Sequence, residues 1–225
     1  MTAVLFDFSG TLFRIEPAES WLRAVLTEAG HPLPEAELVR AARALEAVGA
    51  LPGGAEPSEP PGDLADLWAI RDRSAELHRA AYTGVSRRVP LPDPALYDAL
   101  YDRHMTPAAW SPYPDAPEVL RTLRERGIGV GVVSNIGWDP RPVFRAHGID
   151  AYVDTYALSV QKPDPRLFSI ACEALGADPR GVLMVGDDRR ADGGATALGC
   201  RVHFVDHLPA PERPDALLPV LDLVG

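Results

Sequence analysis

The chain has 225 residues and a formal net charge of -10, with 46% hydrophobic and 24% charged residues, an ordinary globular composition with room for one sizeable core and a smaller appendage. The acidic balance argues against a nucleic-acid surface, which needs basic stripes. No apolar run approaches the roughly 20 residues of a membrane span, and the N-terminal run lacks the basic flank of a secretory signal.

In chain order, Ala3 to Phe6 is a short apolar run that reads as a buried parallel strand, and it stops at Asp7. Gly10 lets the chain turn sharply there and face backbone N–H groups towards a ligand. Helical spacing follows over 17–30, opened by Pro17, and over 34–48. Residues 51–62 are rich in Pro and Gly and read as a loop. Asp63 is placed as the N-cap of a long helix running to about Tyr82 and closed by Gly84, with another helix from Asp93 to Tyr101. Residues 14–111 therefore read as nearly all helical.

From Pro112 onward the pattern alternates. Helices are expected over 116–126, 141–147, 165–175 and 191–198, and strands over 128–133, 152–157, 182–185 and 201–205. The apolar tail around Pro219 is expected on the sheet edge. Alternating strands and helices imply a parallel sheet. The expected fold is α/β: a Rossmann-like parallel sheet with helices on both faces, built from 1–13 and 112–225, plus an inserted all-helical domain of 14–111.

Ligands of such sheets lie beyond the carboxyl ends of the strands, where Asp7, Asp187, Asp188 and Asp192 would gather. Gathered carboxylates repel unless a cation neutralises them, and Mg²⁺ suits an all-oxygen set. Taken alone, Asp187-Asp188 reads equally as a solvated turn, Asp7 as a strand cap and Ser134-Asn135 as a helix cap. Lys162 is the single lysine beside 21 arginines, so one compact point charge stands where a planar guanidinium would not serve. Cys172 and Cys200 are far apart in sequence and read as reduced core residues of a cytoplasmic protein.

Four stretches in order carry a family resemblance: Asp7-Phe8-Ser9-Gly10-Thr11, Val132-Val133-Ser134-Asn135, Lys162-Pro163-Asp164-Pro165, and Gly186-Asp187-Asp188 with Asp192-Gly193-Gly194. Together they resemble the motifs of the haloacid dehalogenase-like hydrolase superfamily. The resemblance implies that Asp7 is a nucleophile forming an aspartyl-phosphate, and that the helical insert is a cap. It implies Mg²⁺ held by Asp7, the Ser9 carbonyl and Asp187, with Asp192 or Asp188 in support. Thr11, Ser134 and Asn135 would donate to phosphoryl oxygens, and Lys162 would balance charge.

The implied substrate is a small phosphorylated metabolite; the oligomeric state is not readable. The family's phosphatases carry a second Asp, as general acid, where this chain has Ser9. The 2-haloacid dehalogenases are the enzyme alternative, and a non-catalytic binding protein is the other. His78 and His104, in the insert, are candidates for the missing acid–base function because imidazole titrates near neutrality.

Overall fold

The computed structural model describes residues 1–54, 57, 62–158 and 160–225. Half of the expected loop over 51–62 lies outside them, as does residue 159 between Leu158 and Lys162. In chain order the elements are β1 (Ala3–Phe6), β2 (Phe13–Ile15), α1 (Ala18–Glu28), α2 (Glu35–Ala47), α3 (Ala65–Ala69), α4 (Ala75–Ser86) and α5 (Leu96–His104). There follow β3 (Trp110–Pro112), α6 (Ala116–Glu125), β4 (Gly129–Val133), α7 (Arg141–Ala146), β5 (Thr155–Ala157), α8 (Pro165–Ala174), β6 (Val182–Gly186), β7 (Arg201–Phe204) and α9 (Val220–Leu223). The chain forms two compact units.

The first unit comprises 1–14, 111–136 and 141–225. It holds a five-stranded sheet ordered β5-β4-β1-β6-β7, and every neighbouring pair is parallel. β1 is central, and its four residues are buried because a parallel strand covered on both faces has no polar side. Alternation then sorts its side chains. Ala3 and Leu5 join a cluster with Leu167, Phe168 and Cys172 of α8 and Met184 of β6. Val4 and Phe6 point the other way, towards the face covered by α6, whose Val119, Leu120 and Leu123 are all buried. The register Leu5↔Gly131 sets a glycine beside a large side chain. A methyl group on Gly131 would come within 2.7 Å of Leu5 Cδ2, so the glycine is the space that Leu5 fills.

The C-terminal tail departs from the expected sheet edge. It lies along α6: Asp115 at the start of α6 accepts the Leu217 and Leu218 amides, and Arg126 Nη1 at its end donates to Leu221 O at 2.6 Å. Buried Leu217, Val220 and Val224 form its apolar side.

The second unit comprises 15–110 with 137–140 and is helical. Gly137–Pro140 groups with these helices although the sequence places it in the sheet domain. A Cβ on Gly137 would be 2.5 Å from His78, and the Trp138 ring meets His104 edge-on at 5.5 Å. The long helix expected from Asp63 is interrupted. Short 3₁₀ turns occupy Gly62–Leu64 and Arg71–Arg73, and Ser74 is extended. Ser74 Oγ accepts from the Leu77 amide at 3.2 Å and caps α4. The break lets Asp72 turn inward beside His78, 3.8 Å away.

Candidate active site

All four sequence motifs lie at the carboxyl ends of the parallel strands. Asp7 follows β1, Ser134 and Asn135 follow β4, Asp187 follows β6, and Lys162 lies between β5 and α8. Parallel pairing sends these ends to one side. The Asp7 amide donates to Val185 O at 2.9 Å, so the neighbouring strand holds the backbone at this carboxylate.

Asp7, Lys162 and Asp192 form a buried charged centre. Lys162 Nζ donates to Asp7 Oδ1 at 2.7 Å and to Asp192 Oδ1 at 2.6 Å. Ser134 Oγ donates to the same Asp7 oxygen at 2.8 Å. Neither bond engages Oδ2. Asp187 joins this centre: one carboxylate oxygen from each of Asp7, Asp187 and Asp192 lies within 4.8 Å of the others. Burial, opposed by Lys162 and reinforced by Asp192 and Asp187, raises the Asp7 carboxyl to about 7. Burial likewise raises Asp192. Burial would lower the Lys162 ammonium, but Asp192 and Asp7 outweigh it and hold the group charged.

The remaining sequence candidates divide. Thr11 is fully buried, and its Oγ1 donates to Asp187 Oδ1 at a long 3.4 Å. Asn135 is engaged at both polar ends by the Lys162 backbone: Oδ1 accepts from Lys162 N at 2.6 Å and Nδ2 donates to Lys162 O at 3.2 Å. It therefore fixes the lysine backbone, using one of its two amide N–H groups. Asp188, expected among the metal ligands, is exposed. Its Oδ1 accepts the Arg190 and Ala191 amides at 2.7 and 2.9 Å, closing its own turn. Ser9 is half-buried on the loop after β1. His78 and His104 are buried in the helical unit, where desolvation lowers each imidazole to about 3. Neither is a proton donor near neutral pH.

Sequence reasoning missed the tail residues. His207 Nδ1 meets Asp187 Oδ2 at 2.5 Å, and Arg14 reaches its other ring nitrogen. Arg213, buried and lying 3.2 Å over the Tyr113 ring, donates to the carbonyls of Gly10, Thr11 and Asp206. Gly10 must be glycine here. Its φ is +79°, and a Cβ would sit 2.2 Å from both Asp187 Oδ2 and His207 Nδ1. A lone His and a lone Arg in an irregular tail carry no periodic signal, which is why they escape a sequence pattern.

The family profile of haloacid dehalogenase-like hydrolases matches residues 1–197. The chain belongs to the haloacid dehalogenase-like hydrolase family. Among relatives, (S)-2-haloacid dehalogenase 4A of Burkholderia cepacia is 31% identical over 141 residues, 60% of this chain and 57% of that protein. Phosphoserine phosphatase of Thermus thermophilus is 29% identical over 212 residues, 91% of this chain and 75% of that protein. The chain thus spans little more than half the length of the first relative and three quarters of the second. The fold is that of the L-2-haloacid dehalogenase of Xanthobacter autotrophicus, with a TM-score of 0.64 and 23% identity over 97% of this chain and 83% of that one. Among the described residues no helix is long and apolar enough to cross a membrane.

Proposed function

We propose that this hydrolase is a Mg²⁺-dependent phosphatase of small phosphate monoesters, with Asp7 as nucleophile and the helical unit as the part that sets substrate choice. The observation that carries the reading is the buried centre of three carboxylates and one ammonium. Fully ionised, its charge is -3 + 1 = -2, which one divalent cation cancels. The donors are all oxygens, the set a hard cation prefers. Without such a cation, burial and its two acidic neighbours hold the Asp7 carboxyl up to about 7, protonated in part at neutral pH. The residues present therefore fit Mg²⁺, held by Asp7, Asp187 and Asp192 with the Ser9 carbonyl implied by the family. When bound, the ion supplies charge neutralisation to the phosphoryl group.

The protein's own residues divide the rest of the work. Ser134 and Lys162 fix Asp7 Oδ1, which leaves Oδ2 to attack phosphorus. A bond forms between Oδ2 and phosphorus as the ester P–O bond breaks, and the leaving oxygen takes the electron pair. Water then attacks the aspartyl-phosphate, giving inorganic phosphate and restoring the carboxylate. Lys162 remains charged throughout and offsets the negative charge at the transferring group. The Ser9 hydroxyl is too weak an acid to protonate the leaving oxygen, which therefore departs as an anion and takes its proton from solvent afterwards. The match to a phosphatase over 91% of the chain supports the same class.

Ser9 also favours a second reading, a 2-haloacid dehalogenase in which Asp7 attacks carbon; one relative carries that activity. Against it, a haloacid's own carboxylate would enter a centre of net charge -2. The deciding experiment is turnover of p-nitrophenyl phosphate and of an alkyl phosphate, a poor leaving group, with and without Mg²⁺, beside halide release from 2-chloropropionate. We expect metal-dependent phosphate release that Asp7→Asn abolishes and Ser9→Asp raises by ~10²–10⁴ for poor leaving groups. Metal-independent halide release with no phosphatase activity would overturn the reading.

A further inference from the structure

We infer that His207 is a positioning residue for Asp187, presented by a C-terminal strap that Arg213 fastens to the loop after β1. The inference rests on the reading of Asp187 as a metal ligand. Both strap residues lie beyond residue 197, where the family match ends.

The geometry is a relay of donors. Arg14 can only donate, so the His207 Nε2 that it meets accepts. That pairing leaves an N–H on Nδ1, directed at Asp187 Oδ2, 2.5 Å away. A ring nitrogen carrying its proton has no lone pair for a cation, so His207 orients the carboxylate and does not itself ligate. The strap is fixed next door: Arg213 Nη1 donates to Gly10 O at 2.6 Å and to the carbonyl of Asp206, the residue before His207, at 3.1 Å. Tyr113 adds a bond from its hydroxyl to Leu208 O at 2.7 Å, just after His207. The same guanidinium thus holds the loop that carries Ser9 and the segment that carries His207. Gly10 lies against the His207–Asp187 contact with no room for a side chain. Hydrogen bonding to a ligating carboxylate fixes its orientation ahead of the metal, and loss of such an outer partner costs about 10–100-fold in metal affinity or activity.

The test is Mn²⁺ binding to the metal-free full chain, followed by electron paramagnetic resonance, in wild type, His207→Ala and His207→Asn. Asn replaces the Nδ1–H with an amide donor. The His207 side chain is 34% exposed, so all three should fold; thermal melts check this. We expect His207→Ala to weaken Mn²⁺ binding about 10–100-fold, His207→Asn to recover most of it, and the melting temperatures to stay together. Equal affinity in wild type and His207→Ala overturns the inference alone, as does a directly bonded nitrogen coupling on the bound Mn²⁺. A wild type that binds no Mn²⁺ overturns the metal reading and the inference with it.

Discussion

At the scale of single residues, His78 and His104 carry a pH signature of their own, apart from that of the candidate active site. Both are buried in the helical unit, at 2% and 0% exposure. Desolvation lowers each to about 3, helped at His78 by His104 and Arg71 and at His104 by Arg79, while the Tyr101 carbonyl opposes it at His104. His78 also faces Tyr101, bonded to it at 2.7 Å, and Asp72 at 3.8 Å, with the Tyr82 ring tilted against it at 4.6 Å. The unfolded chain takes up protons on these rings below about 6.5, and the folded chain does so only near 3. Between those values the unfolded state binds more protons, so stability is full above about pH 6.5 and is lost as pH falls towards 3. Each ring contributes a slope of up to about 1.4 kcal/mol per pH unit. His104→Phe should remove one share, because it removes a titrating ring; the lost Nδ1 bond to the Tyr101 carbonyl is a separate cost that does not vary with pH across this range. Chemical denaturation at several pH values between 4 and 7 checks it; an undiminished acid slope in the variant contradicts the argument.

At the scale of elements, the central strand is where sequence and packing agree most closely. Leu5 is fully buried, and Gly131 on the adjoining strand leaves its space open. Leu5→Ala should destabilise by about 2–5 kcal/mol in urea unfolding. Adding Gly131→Ala should return part of this loss, with a coupling of about 0.5–3 kcal/mol; strictly additive effects would show that the two positions do not share a volume. The strands were readable because a parallel core strand is an unbroken apolar run, as in Ala3–Phe6 and Val182–Gly186. The helix from Asp63 was misread because its spacing continues across Ser74, while the cap there depends on a single hydroxyl bonding the Leu77 amide. Gly84 did not stop α4, which runs on to Ser86. A Cβ at Gly84 would lie 3.1 Å from Leu64, so the glycine admits a neighbour rather than ending the helix.

At the scale of the whole molecule, the fold class and family were readable because four short motifs each follow a strand or open a helix, and parallel pairing brings strand ends to one side. The tail was not readable in the same way. Its role depends on buried Arg213 and Asp115 bonding to carbonyls and amides far away in sequence, and such partners leave no local spacing to detect. The centre of net charge -2 also ties global stability to the proposed ion. A cation bound only by the folded chain adds about 2.7 kcal/mol at a hundredfold excess over its Kd. Mg²⁺ should therefore raise the melting temperature and chelation should lower it, with Asp187→Asn reducing the response. A melting temperature indifferent to Mg²⁺ across millimolar concentrations would count against the ion.

The solitary lysine has one more consequence. Its amine is 3% exposed and gripped by two carboxylates, and no second lysine occurs among the 225 residues. An amine-reactive reagent can therefore modify one side chain, and can reach it only in molecules whose centre has come apart. The rate of that modification reads the opening of this one locality without any engineered label.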